Sequence, residues 1–164
     1  MVASVFGFAR PIPFGKLAKG MLILAAPADG QRYFGVVTKI REDFMLIVLS
    51  ATDGKTLANL DLGYFVDDLW LVPGLLEMEP ASSPFEAGSR RAIIPGYAID
   101  SEGNAGVSFP HSEFGQTKQF IVNLSTGEHF DRVEKIGYFK DAKFFVRQEG
   151  REDRFPMPDL TSDS

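Results

Sequence analysis

A chain of 164 residues with 45% hydrophobic and 24% charged residues has the balance of one folded domain, long enough to bury a core without cross-links. It has no cysteine, which excludes disulfides, thiolate nucleophiles and Cys-based zinc sites and suits a reducing cytoplasm. A formal net charge of −5 speaks against a nucleic-acid partner, and no apolar run approaches the roughly eighteen residues that cross a bilayer, so no membrane is expected either.

Fifteen Phe, four Tyr and one Trp favour sheet, because flat apolar rings pack well on pleated surfaces. Pro11, Pro13 and Gly15 lie among Phe6, Phe8, Ile12 and Phe14, so the first segment is expected to be extended, tucked against the body and not helical. Met21 to Ala26 follows the basic residues Arg10, Lys16 and Lys19, but it is shorter than the apolar core of a secretory leader and reads as a buried strand. Arg32 to Ile40 is a second strand. Phe44 to Leu49, set between the polar turn Arg41-Glu42-Asp43 and the Asp53-Gly54 pair, is a continuous apolar run that predicts a central strand buried on both faces. Connections this short predict an antiparallel meander.

Tyr64 to Val72 suggests another strand, and Pro73-Gly74 punctuates it. Glu77 to Ser89 collects Pro80, Ser82, Ser83, Pro84 and Gly88 and is expected to be a long loop. The chain is read as a single β-rich domain over 1–164, with a subdivision near 77–89 as the alternative. Pro95 predicts an edge strand or bulge within Ala92 to Ile99, and Ala105 to Phe109 follows the turn at Ser101 to Asn104. Phe120 to Leu124, Ser125-Thr126-Gly127 and Glu128 to Val133 predict a hairpin. Ile136 to Phe139 and Phe144 to Val146 are strands around Lys140-Asp141-Ala142. Arg147, Arg151 and Arg154 alternate with Glu149, Glu152 and Asp153 as a solvated mixed-charge stretch, and Phe155 to Ser164 is expected to be loosely ordered. Short helices are expected only near Asp61 to Leu69 and Ser112 to Lys118. The fold class is mainly β: an antiparallel curved sheet or SH3-like barrel with added strands and few short helices.

Two histidines limit the chemistry. His111-Ser112-Glu113 has the His-x-Glu order of zinc deaminases but lacks their Cys-x-x-Cys element, so it reads as a loop. Alternation places His129 and Asp131 on one face of a strand, a candidate general-base pair, although a half-exposed strand explains them as well. Asp100 to Asn104 spaces oxygen ligands as a calcium loop does but lacks the distal Glu, so a Gly-Asn turn is preferred. Asn123-Leu124-Ser125 meets the glycosylation pattern, which matters only in a secreted chain. Neither a phosphate-binding glycine loop nor a Gly-x-Ser-x-Gly elbow occurs. No catalytic residue, metal or cofactor is therefore assigned. The most binding-like stretch holds Tyr64, Asp67, Asp68 and Trp70, in which aromatic anchors flank two acids suited to a basic protein partner. The competing reading places Trp70 in the core.

Lys19-Gly20, an apolar strand, Pro27, the Asp29-Gly30 turn, then Tyr33 and Gly35 follow one another in an order that resembles the opening of the polymorphic-toxin immunity proteins of the Imm-26 type. The resemblance covers about a fifth of the chain and ends at Leu49. It implies a cytoplasmic antidote that blocks a cognate toxin by stoichiometric binding, with the acidity of this chain complementing a basic toxin domain. Two other readings remain open: a small hydrolase or carbohydrate-active domain using carboxylates with His129, and a structural adaptor of a phage or secretion apparatus.

Overall fold

In the computed structural model, the described residues are 5–81, 96–99, 103–129, 137–139, 141–148 and 150–162. The strands in chain order are β1 (Arg10–Pro11), β2 (Leu22–Ala25), β3 (Tyr33–Ile40), β4 (Asp43–Ala51), β5 (Asn59–Asp61), β6 (Leu69–Val72) and β7 (Leu75–Pro80). They continue as β8 (Gly96–Ile99), β9 (Ala105–Glu113), β10 (Gln116–Asn123), β11 (Gly137–Phe139), β12 (Ala142–Arg147) and β13 (Arg154–Pro156). Three antiparallel sheets result, in the orders β1-β6-β2-β3-β4-β5, β10-β9-β8-β11 and β13-β12-β7.

The meander β2-β3-β4 forms because short polar turns separate apolar runs with no room for a crossover. Alternation along β4 then builds two cores. Met45, Ile47 and Leu49 enter the larger one and Leu46 and Val48 the smaller, which Ala51 also joins because the register slip past Leu49 inverts the alternation. The smaller core is roofed by Leu17 and Leu62, with Phe14, Phe44 and Phe65 packed at its margin. The larger core joins Phe34, Val36 and Val72 of the first sheet to Val107, Phe109 and Val122 of the second and to Leu76, Phe144 and Val146 of the third. Residues from both halves of the chain therefore share it. Between Phe34 and Gly35 the register slips, because Phe34 opposes Ser50 while Gly35 opposes Val48. A Cβ on Gly35 would lie 1.8 Å from the Ile47 carbonyl oxygen, so this bulge accepts only glycine.

Several expectations change. Of the two architectures expected, the antiparallel curved sheet is the one found: among the described residues β1 and β5 are the edges of the first sheet and do not pair to close an SH3-like barrel. The segment expected to be helical at 112–118 is the hairpin of β9 and β10, in which Glu113 opposes Gln116. Glu77 belongs to β7, not to a loop, and pairs with β12; residues 82–89 lie outside the described residues. Of the hairpin expected over Phe120 to Val133, the described residues contain the start, with Val122 bridging His129 and the Asn123 N–H donating to the Glu128 carbonyl at 2.8 Å; 130–136 lie outside the described residues. Although a short connection joins β11 and β12, they enter different sheets, β11 beside β8 and β12 beside β7. The first segment contains 3-10 turns at Val5–Phe8 and Phe14–Lys16.

The segment around Leu160 is docked. Leu160 is buried in the larger core and its N–H donates to the Ser50 hydroxyl at 3.0 Å. Two of the arginines read as a solvated stretch are cross-strand partners: Arg147 Nε donates to Glu77 Oε1 at 2.5 Å, and Arg154 pairs with Glu79 at 2.6 Å. The Arg147 hydrogen bond holds the Glu77 carboxyl below its ordinary range, against a smaller opposing effect of burial. Among the described residues, no helix is long and apolar enough to cross a membrane.

Candidate partner-binding face

The connection from β5 to β6 is rigid for local reasons. Asp61 accepts the Gly63 N–H at 2.9 Å, capping a 3-10 turn over Leu62–Phe65. Leu62 is 0% exposed and nails the turn to the smaller core. The Phe65 ring lies edge-on to Tyr33 at 5.9 Å. The Asp68 N–H donates to the Phe65 carbonyl and the Ala26 N–H to the Asp68 carbonyl, each at 2.9 Å. Beneath this turn, burial raises the Tyr33 hydroxyl pKa, and Asp53 and Asp29 push it the same way.

What this fixed turn presents is Tyr64, 85% exposed, with Val66 and Asp67 also exposed. Tyr64 and Asp67 thus sit on one solvent-facing turn, and Asp68 is half-buried, its backbone engaged at both ends. Trp70 is placed differently. Leu69 and Leu71 of β6 face the smaller core, so Trp70 points to the opposite side of the sheet, opposite Leu24 on β2 and Pro11 on β1. It is 38% exposed, neither a core residue nor a neighbour of Tyr64 across the turn.

A second feature lies at the other end of the Asp61 turn. The β3–β4 and β9–β10 hairpins each close with a two-residue loop, at Arg41-Glu42 and Phe114-Gly115. Arg41 has φ 59° and Phe114 has φ 51°, positions where Gly or Asn is usual. Gly115 follows at φ 75°, so both loop residues of that hairpin are left-handed, as a tight type I′ turn requires. The Arg41 guanidinium sits 4.3 Å from the centroid of the Phe114 ring, which is 85% exposed. Behind this clasp is a cleft of about 340 Å³ lined by Ile40, Arg41, Asp43, Met45, Asp61, His111, Ser112 and Phe114. Asp61 therefore serves both features, lining the cleft and capping the turn that carries Tyr64. Phe114 and Arg41 were missed in sequence because a lone aromatic before a glycine and a lone Arg in a polar turn carry no periodic signal. The local signal is Phe-Gly at the tip of an alternating run.

The histidines do structural work at the junction of the sheets. The Asn59 amide lies 2.6 Å from His111 Nδ1, tying β5 to β9. His129 Nε2 donates to the Lys39 carbonyl at 3.0 Å, and the rings of His111 and His129 both meet Phe120 edge-on, at 5.4 and 5.2 Å. Asp131 and Asp100 to Glu102 lie outside the described residues. Among the described residues, no three His, Asp or Glu side chains converge on a metal-sized space.

No protein-family model, curated protein or solved structure matches the chain. Apart from Pro27, the residues of the immunity-protein resemblance have local structural reasons. Lys19 pairs with Glu128 at 2.7 Å, and Gly20, at φ 90°, passes close to the Ser125 carbonyl. Asp29 accepts the Gln31 N–H at 2.9 Å ahead of the left-handed Gly30, Tyr33 supports Phe65, and Gly35 makes the bulge.

Proposed function

We propose that this protein is a non-catalytic, cytoplasmic binding module: an immunity-type antidote that blocks a basic toxin domain by stoichiometric docking. The observation that carries the reading is Tyr64, a large amphipathic ring held 85% exposed on a turn whose neighbours are capped, buried or hydrogen-bonded. The backbone of the turn is set before a partner arrives, so docking through Tyr64 has little more than its side chain to order, and a large exposed amphipathic ring is the kind of residue that anchors interfaces. Asp67 beside it and the net charge of −5 favour a cationic surface.

The test is capture of partners from the native lysate on the immobilised chain, followed by light scattering of the recovered complex. The reading expects a one-to-one mass and loss of the complex with Asp67→Lys, while the exposed Lys143→Ala on β12 leaves it intact. A complex indifferent to Asp67→Lys overturns it.

A further inference from the structure

A second cavity, of about 210 Å³, lies where the three sheets meet the terminal segment. Ser50 of β4 comes from the first sheet, Tyr97 of β8 from the second and Phe144 of β12 from the third, with Met157 and Asp159 on the terminal side. Leu49, Phe144 and Met157 give it apolar walls, and two hydroxyl-bearing side chains interrupt them. Ser50 is only 5% exposed; its oxygen accepts the Leu160 N–H, and its own proton is donated to no described residue. The Tyr97 ring is held edge-on against Phe144 at 5.1 Å, and its hydroxyl likewise makes no hydrogen bond to a described residue. Burial, with a smaller push from Asp141, raises the Tyr97 pKa, so this hydroxyl keeps its proton and stays a donor. At the terminal side, the Thr161 hydroxyl and N–H both donate to Asp159 and hold its carboxyl below the ordinary range, against the effect of burial. A buried hydroxyl that accepts without donating is half satisfied, so the lining offers donors that call for an acceptor.

We infer that this cavity is a binding site for a small neutral molecule with an apolar body and one carbonyl-type oxygen, the oxygen accepting from the Ser50 and Tyr97 hydroxyls while the body packs on Leu49, Phe144 and Met157. Size limits the guest: an apolar cavity of about 150 Å³ admits benzene, so this one suits a single ring with a short polar arm. The charged Asp159 disfavours an anion. Binding also reaches the terminal segment, because the Ser50 hydroxyl that accepts the Leu160 N–H would donate to the guest, and a hydroxyl that donates is the stronger acceptor. The guest thereby tightens the docking of Leu160. The cavity shares no residue with the turn that carries Tyr64, so the site stands apart from the antidote reading.

The test titrates the full chain with acetophenone, with ethylbenzene, which has a similar shape without the oxygen, and with benzoate, followed by amide chemical shifts and by hydrogen exchange at Leu160. Acetophenone should give saturable shifts at Ala51, Gly54 and Thr161, bind at least about threefold more tightly than either comparison compound, and slow exchange of the Leu160 N–H. Tyr97→Phe keeps the ring and should weaken acetophenone by about threefold or more while leaving ethylbenzene unchanged. Ser50→Ala should weaken acetophenone similarly and abolish the slowing at Leu160. Absence of saturable shifts, equal affinity for ethylbenzene or benzoate, or acetophenone affinity unchanged in both variants overturns the site. Acetophenone binding with Leu160 exchange unaltered overturns the coupling to the terminal segment.

Discussion

Adding one methyl group at Gly127 should loosen the junction between the first and second sheets. Gly127 has φ 71°, and a Cβ there would lie 2.4 Å from the Val37 carbonyl oxygen, 2.5 Å from the Gly20 nitrogen and 3.0 Å from the Lys19 carbonyl carbon. All three are backbone atoms that cannot rotate away. The same spot holds the hydrogen bond from Gly20 N–H to the Val37 carbonyl at 2.9 Å and that from the Thr38 hydroxyl to the Gly127 carbonyl at 2.6 Å. Left-handed strain on alanine costs about 1–2 kcal/mol. Forced overpacking adds about 1–3 kcal/mol and a weakened buried hydrogen bond about 1 kcal/mol. Gly127→Ala should therefore lose about 3–6 kcal/mol in urea unfolding. Gly30→Ala is the matched control, with φ 88° and no atom within 4 Å of the added Cβ, and should lose only the strain. Equal losses in the two variants, within about 0.5 kcal/mol, would refute the claim that close approach governs this junction.

Leu160→Ala should cost about 2–5 kcal/mol by thermal unfolding, since its side chain is buried in the larger core; a loss below 1 kcal/mol would mean that the terminal segment is not docked. The stability advantage of wild type over Glu77→Gln should be full above the ordinary carboxyl pKa of 4.5 and shrink as pH falls below it, because the folded pKa is lowered chiefly by the Arg147 hydrogen bond. A gap that widens on acidification contradicts that coupling. Phe114→Gly relieves about 1 kcal/mol of left-handed strain and forfeits about 0.5–1 kcal/mol of cation–π contact, so calorimetry should find stability unchanged or slightly raised. A loss above about 2 kcal/mol would make the ring structural.

The local strands were legible and their assembly was not. Met21 to Ala26, Arg32 to Ile40 and Phe44 to Leu49 announced β2 to β4 because apolar runs between polar turns leave one physical solution. Where strands choose partners across distance, periodicity falls silent: nothing in the run from Ile136 to Val146 tells β11 to join β8 and β12 to join β7. The docked Leu160 was hidden for the same reason, one apolar residue among polar neighbours. Tyr64 and Asp67 stood out as an aromatic beside an acid, and they share an exposed turn, but strand alternation sends Trp70 to the other side of the sheet. Arg41 with Asp43, Asp61 and Phe114 come from three separate stretches of the chain, and only the fold brings them to one cleft.

The most direct test of the docking claim is isothermal titration of the purified, captured partner with wild-type chain and with Tyr64→Ala. One-to-one binding that weakens by about 2 kcal/mol, roughly thirtyfold, without a change in melting temperature would be the behaviour of a pre-organised anchor. Affinity unchanged within about threefold would show that Tyr64 does not carry the interface.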